Sequence, residues 1–227
     1  MPASYDDCVA AISKKADDAF ERALYWYDHA GGIPAQHCAA LALIALKQYE
    51  EAATRLDVIA RDADAGTLAE RAVLMDLAGN AWLAAGQFEL AEKTFSASLK
   101  LSPRNATLWL DRSRARGAKK QWAAAEDDLN HAVAFDVTRA DVYVARAKVR
   151  TSRNNKDGAK ADIDKALSLN PLYPDALVER GQIRWQSGDK NGARADWRDA
   201  LLYAKADSDA AAVAREYIQN AELSAVK

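Results

Sequence analysis

Proline is scarce in this chain, at 5 of 227 residues, and glycine is modest at 10. With alanine abundant, that mixture suits close-packed helices, because alanine loses no side-chain entropy in a helix and lets neighbouring helices approach. A surplus of either charge is also missing, since 31 Lys and Arg face 33 Asp and Glu. So even a balance gives no long-range field to gather nucleic acid or acidic membranes, and nucleic-acid binding is not expected. No apolar run approaches the roughly 20 residues that span a bilayer. The longest, around Cys38 to Leu46, reads as a core helix, so membrane insertion is not expected. No export signal is present in the chain as given, although a start at Met1-Pro2-Ala3-Ser4 is compatible with a leader removed upstream.

The marks of catalysis are lacking too. There is no Gly-rich phosphate loop, nucleophile elbow or His-Glu-x-x-His. Adjacent acidic pairs such as Asp6-Asp7, Asp17-Asp18 and Asp127-Asp128 diverge by about 100° per residue on a helix and make poor acid–base dyads. His29, His37 and Cys38 have no fixed spacing that would make them converge on a metal, which needs three or four ligands. No catalytic residue, metal site or cofactor is expected.

What the chain does have is a repeat. Ala91, Ala125, Ala159 and Ala193 lie 34 residues apart. Phe95, Leu129, Ile163 and Trp197 follow at the same interval, as do Ser98, Ala132, Ala166 and Ala200, and Leu99, Val133, Leu167 and Leu201. An earlier copy, with Tyr49, Ala52, Leu56 and Ile59, lies 39 residues ahead of the next. About five residues are therefore inserted, and because Thr67 with Glu70 reads as a capping box opening a helix, they belong within Arg61 to Gly66. Thr138 with Asp141 reads as a weaker box of the same kind. Turn signals at Ala85-Gly86-Gln87, Asn154 to Asp157 and Ser187-Gly188-Asp189 separate paired helices.

This pattern resembles the tetratricopeptide repeat, a helix–turn–helix unit of about 34 residues. Gly79, Trp82, Gly86, Phe88, Ala91, Phe95 and Pro103 carry the resemblance most fully, and Tyr143, Ala147, Ala159, Ala166 and Pro171 carry it again. It implies an all-α fold, a right-handed helical solenoid of stacked repeats with capping helices at both ends. Five repeats are expected at 33–66, 72–105, 106–139, 140–173 and 174–207. An N-terminal capping pair occupies 1–32, as Ser4 to Ile12 and Lys14 to His29, and a C-terminal capping helix lies within 208–227, from Ser208 to about Ser224. Stacked neighbours share one core, because a lone unit cannot bury its apolar face.

The resemblance also implies a function: a scaffold that holds a peptide or helix of another protein in a groove lined by the first helix of each pair. The matching groove positions include Asp76, Asn80, Asp111, Arg114, Asp141, Lys148, Glu179, Gln182 and Trp185. The Lys–Asn–Arg clamp by which some members grip a terminal carboxylate is absent, its places being held by residues such as His37, Leu41, Leu77, Thr107 and Asp111. Trp185 either anchors a partner or packs on the capping helix. The competing function is a structural module that self-associates through its ends, and the chain is expected as a monomer or weak homo-oligomer.

Arginine and aspartate recur with the repeat. Arg112, Arg146 and Arg180 each precede an aspartate, Asp128, Asp162 or Asp196, by 16 residues, and a subtype of the family uses this combination as an interhelix ion pair. A second series, Arg116, Arg150 and Arg184, shows no equally regular acidic partner and so stands open to a ligand. Cys8 and Cys38 are the only cysteines. Their helices are expected as neighbours, so they form either a disulfide, which would favour a periplasmic or secreted setting, or two buried thiols in a cytoplasmic one.

Overall fold

The computed structural model describes residues 4–62 and 66–223, which form thirteen α-helices and no strand. The expected insertion, the chain start and the end of the last helix fall partly outside the described residues. By its internal contacts the chain divides into one unit through Lys120 and another from Gln121.

The first unit holds α1 (Tyr5–Ile12), α2 (Ala16–Trp26), α3 (Gly32–Ala45), α4 (Tyr49–Arg61), α5 (Leu68–Ala84), α6 (Phe88–Leu101) and α7 (Ala106–Ala118). A kinked turn at Tyr27–Gly31 joins α2 to α3, and within it Ala30 is left-handed at φ 68°. Cys8, Ala23, Cys38 and Ala39 form the first core cluster, with Phe20 and Trp26 packed against it. Cys8 and Cys38 are joined in a disulfide. The next clusters centre on Leu56, Ile59 and Leu74, then on Leu43, Trp82, Phe95 and Leu108.

The second unit holds α8 (Trp122–Phe135), α9 (Ala140–Ser152), α10 (Lys156–Leu169), α11 (Pro174–Gln186), α12 (Lys190–Tyr203) and α13 (Asp209–Leu223). Its core runs through Tyr143, Ile163, Leu177 and Trp197 to Ala210, Ala214 and Ala221 of α13, with Val213, Tyr217 and Ile218 packed alongside.

The turns between paired helices are built alike. Lys47, Gly86, Lys120, Asn154 and Gly188 all have positive φ, at 60°, 75°, 59°, 61° and 95°. The left-handed residue lets the next amide donate back across the helix end: Gln48 N to Leu43 O at 2.9 Å, Gln87 N to Trp82 O at 2.9 Å, and Asn155 N to Arg150 O at 2.8 Å. Only two of the five positions carry glycine, so residue type alone does not mark the turn.

Helix starts vary more. Thr67 accepts from Glu70 N while Glu70 accepts from Thr67 N, a complete capping box. Thr138 does not act this way. Its amide and hydroxyl both donate to Asp136 Oδ1, at 2.9 and 2.7 Å, and Asp141 is taken by Arg139, so α9 begins without a side-chain cap. The cap position falls one residue further on, at Arg139, whose side chain has no acceptor to offer the helix amides.

Candidate partner-binding site

The expected groove residues fall into two clusters, one per unit. In the first unit, α5 and α7 are packed together and bring Asp76 beside Asp111. Asn80 Nδ2 donates to Asp76 Oδ1 at 3.2 Å and to the Asp76 carbonyl at 3.0 Å. Arg114 donates to Asp111 Oδ1 at 2.6 Å. Asp111 is buried at 3 % exposure, whereas the Arg114 side chain is 55 % exposed. Burial and the neighbouring Asp111 raise the Asp76 carboxyl to about 7, against the pull of Arg114 and Asn80. Near neutral pH, Asp76 is therefore a carboxyl that holds its proton about half the time and hydrogen-bonds Asp111 through it.

In the second unit, Lys148 of α9 lies 3.5 Å from Glu179 of α11. Burial pushes Glu179 up from the usual glutamate range, and Lys148 offsets part of that rise. Asp141 is held by Arg139. Gln182 and Trp185 line a cavity of about 210 Å³ with Trp197, Tyr217 and Asn220. Trp185 is tilted against Trp197 at 5.5 Å, Trp197 continues to Tyr217 at 5.2 Å, and Lys190 Nζ sits 3.7 Å above the Trp185 ring. This aromatic series reaches the capping helix.

The arginine series are tied into the fold. Arg146 donates to both oxygens of Asp162 at 3.0 and 2.7 Å, and Arg180 to those of Asp196 at 3.1 and 2.8 Å. Asp128 is buried, at 1 % exposure. Arg112 donates to Ser96 Oγ and lies 4.8 Å over the Trp109 ring. The second arginine series does have acidic partners, contrary to the sequence expectation. Arg116 Nε donates to Glu92 at 2.9 Å and Arg150 Nε to Glu126 at 2.8 Å, each glutamate lying on the preceding second helix. Arg150 and Arg184 also donate to Asp162 and Asp196, both at 2.8 Å. The glutamates stand 24 residues ahead of their arginines, a spacing that would have revealed the pairing.

Among the described residues, no helix is long and apolar enough to cross a membrane, and no cluster of three or more His, Cys, Asp or Glu could hold a metal ion.

Paired helices with left-handed hinges, small residues at the crossings and large ones between units define a helical repeat protein of the tetratricopeptide solenoid class. A model of the tetratricopeptide repeat matches residues 140–171, the α9–α10 pair. No curated protein matches the chain in sequence. Solved structures do match its fold. A tetratricopeptide repeat protein from Parabacteroides merdae is 15% identical, with a TM-score of 0.70 over 94% of this chain and 84% of its own. A thermophilic one from Thermus thermophilus is 18% identical, with a TM-score of 0.66 over 83% of this chain and 100% of its own. The tetratricopeptide domain of Arabidopsis OM64 is 28% identical, with a TM-score of 0.51 over 52% of this chain and 98% of its own. The chain thus has the fold of tetratricopeptide-repeat solenoids, and its α9–α10 pair matches the repeat itself.

Proposed function

We propose that the chain is a non-catalytic scaffold that holds a peptide or helix of another protein against the first helices of its repeats. The observation that carries this reading is the Asp76–Asp111–Arg114 cluster. Strongly perturbed carboxyls gather at functional sites, and here a carboxyl at about 7 sits beside an arginine left more than half exposed. Asp76 can donate or accept a hydrogen bond at neutral pH, and Arg114 offers a charged donor. Together they suit a mixed, polar segment of a partner. The Cys8–Cys38 bridge supports an oxidising compartment as the place of work, periplasmic or secreted.

The test is a peptide-display selection against the intact chain, followed by titration of the selected peptides. Asp76→Asn and Arg114→Ala should each weaken binding about tenfold, the loss of one charged hydrogen bond, while the thermal midpoint stays that of a folded protein. Peptides that bind both variants as well as the parent would move the site elsewhere.

A further inference from the structure

The ion pairs between successive repeats follow one plan and then stop. At the α6–α7 junction, Glu92 is held by Arg116 Nε at 2.9 Å and by Lys119 Nζ at 3.1 Å. At the α8–α9 junction, Glu126 is held by Arg150 Nε at 2.8 Å and by Arg153. One repeat further, at α10–α11, the corresponding residues are Lys160 for the glutamate, Arg184 for the arginine and Ser187 for the second cation. Arg184 keeps its bond to Asp196 through a terminal nitrogen. Its Nε, the atom that grips glutamate in both other junctions, makes no hydrogen bond among the described residues and stands 3.8 Å from Asp189 Oδ2. Asp189 is itself engaged in capping α12, where its Oδ1 accepts from Gly192 N at 2.8 Å.

A cavity of about 410 Å³ opens at this junction. Lys156, Lys160, Arg180 and Arg184 line it, against Asp157, Asp164 and Asp189. The Arg184 side chain is 37% exposed, where Arg116 and Arg150 are each 19% exposed. Lys160 makes no ion pair among the described residues.

We propose that this junction is a receptor for a carboxylate of a partner protein, which takes the place that Glu92 and Glu126 fill from within. The repeat itself supplies the template, since the same arginine atom has a carboxylate oxygen at 2.8–2.9 Å in two copies and lacks one in the third. Replacing the internal glutamate by Lys160 both empties the position and adds a cation beside it. An incoming acidic side chain or chain end then meets Arg184 Nε and Lys160 together, a charge-assisted contact of the stronger kind. The residues are separate from those of the Asp76 cluster, so either site can fail without the other.

The arginine side-chain resonances of the ¹⁵N-labelled intact chain read this directly. A capped tetrapeptide of alternating alanine and glutamate should shift the Arg184 Nε–H signal, and the glutamine version should not. An alanine peptide with a free C-terminus separates a chain-end carboxylate from a side-chain one, and a shift with either supports the proposal. Lys160→Glu should move the Arg184 signal without any peptide, by filling the site from inside, and should weaken the peptide-induced shift at least tenfold. The proposal is overturned if only inorganic phosphate moves the Arg184 signal, if no peptide does, or if Lys160→Glu binds as the parent does.

Discussion

A Cβ added to Gly181 would come within 2.6 Å of Trp197 Cδ1, closer than any real contact allows. Gly79 stands in the same relation to Phe95, at 2.5 Å from its Cε1. Sixteen residues separate each pair, and the equivalent Ala147 faces the same core as the smaller Ile163. Aromatic rings thus go with glycine, and a branched aliphatic goes with alanine. Gly181→Ala should cost about 1–3 kcal/mol by overpacking. Adding Trp197→Ile should recover part of that loss, because the pair would then match Ala147 with Ile163. Urea unfolding of both single variants and the double checks it, and strictly additive losses would show that the two sites do not touch.

Arg146 and Asp162 form a two-bond interhelix pair, with side chains only 14% and 5% exposed. Removing one partner of a buried pair generally costs about 3–5 kcal/mol. Here Arg150 also donates to Asp162, so Arg146→Ala leaves the aspartate one charged partner. The expected loss is therefore lower, about 1.5–3 kcal/mol, the range for hydrogen bonds to charged groups. Arg146→Ala with Arg150→Ala should lose more than the sum of the two singles. Chemical unfolding of the three variants decides it, and an unchanged midpoint for Arg146→Ala would mean the pair is inconsequential.

Asp76 ties stability to pH. Its folded-state pKa of about 7 lies above its ordinary value of 3.8. The folded state therefore binds the proton more tightly than the unfolded chain, and the resulting stabilisation is complete below about pH 4. It fades as pH rises and is gone above about pH 7. Asp76→Asn keeps the neutral form at every pH. The variant should flatten this part of the stability profile and gain on the parent above neutrality. Unfolding midpoints at pH 5, 6, 7 and 8 measure it, and parallel profiles would place the titrating group elsewhere.

Lys47 occupies the left-handed hinge between α3 and α4 at φ 60°. A side chain there costs about 1–2 kcal/mol, while glycine has an entropic penalty of about 0.5–1 kcal/mol. Lys47→Gly should therefore stabilise by about 0.5–1 kcal/mol. Asn154→Gly should gain less, since asparagine tolerates this conformation. Thermal midpoints of the two variants rank the effects, and a loss at Lys47 would show that the lysine makes a contact worth more than the strain.

The fold was legible because packing between units imposes one size pattern on every copy, and columns such as Ala91, Ala125, Ala159 and Ala193 display it by subtraction. The groove was less so. Asp76 and Asp111 both stood among the expected residues, yet the rise of the Asp76 carboxyl depends first on burial, which no spacing expresses. The second arginine series showed no regular acidic partner in the sequence because Glu92 and Glu126 come from the preceding helix pair and Lys160 breaks the column at the third copy. Thr138 failed as a cap because α9 begins one residue later, with Arg139 at the cap position.

The disulfide ties α1 to α3 across 30 residues of chain. Closing a loop of that length removes unfolded-state entropy amounting to about 3–4 kcal/mol. In a repeat chain, stability is roughly a sum of unit and neighbour contributions, so the effect of opening the bridge should stay near it. Reduction should add two hydrogens to the intact mass. It should also speed amide exchange in α1 and α2 while leaving α9 to α12 unchanged. Exchange rates in α1 and α2 that ignore the reductant would mean that the apolar contacts of Phe20, Leu24 and Trp26 hold the N-terminal helices without the bridge.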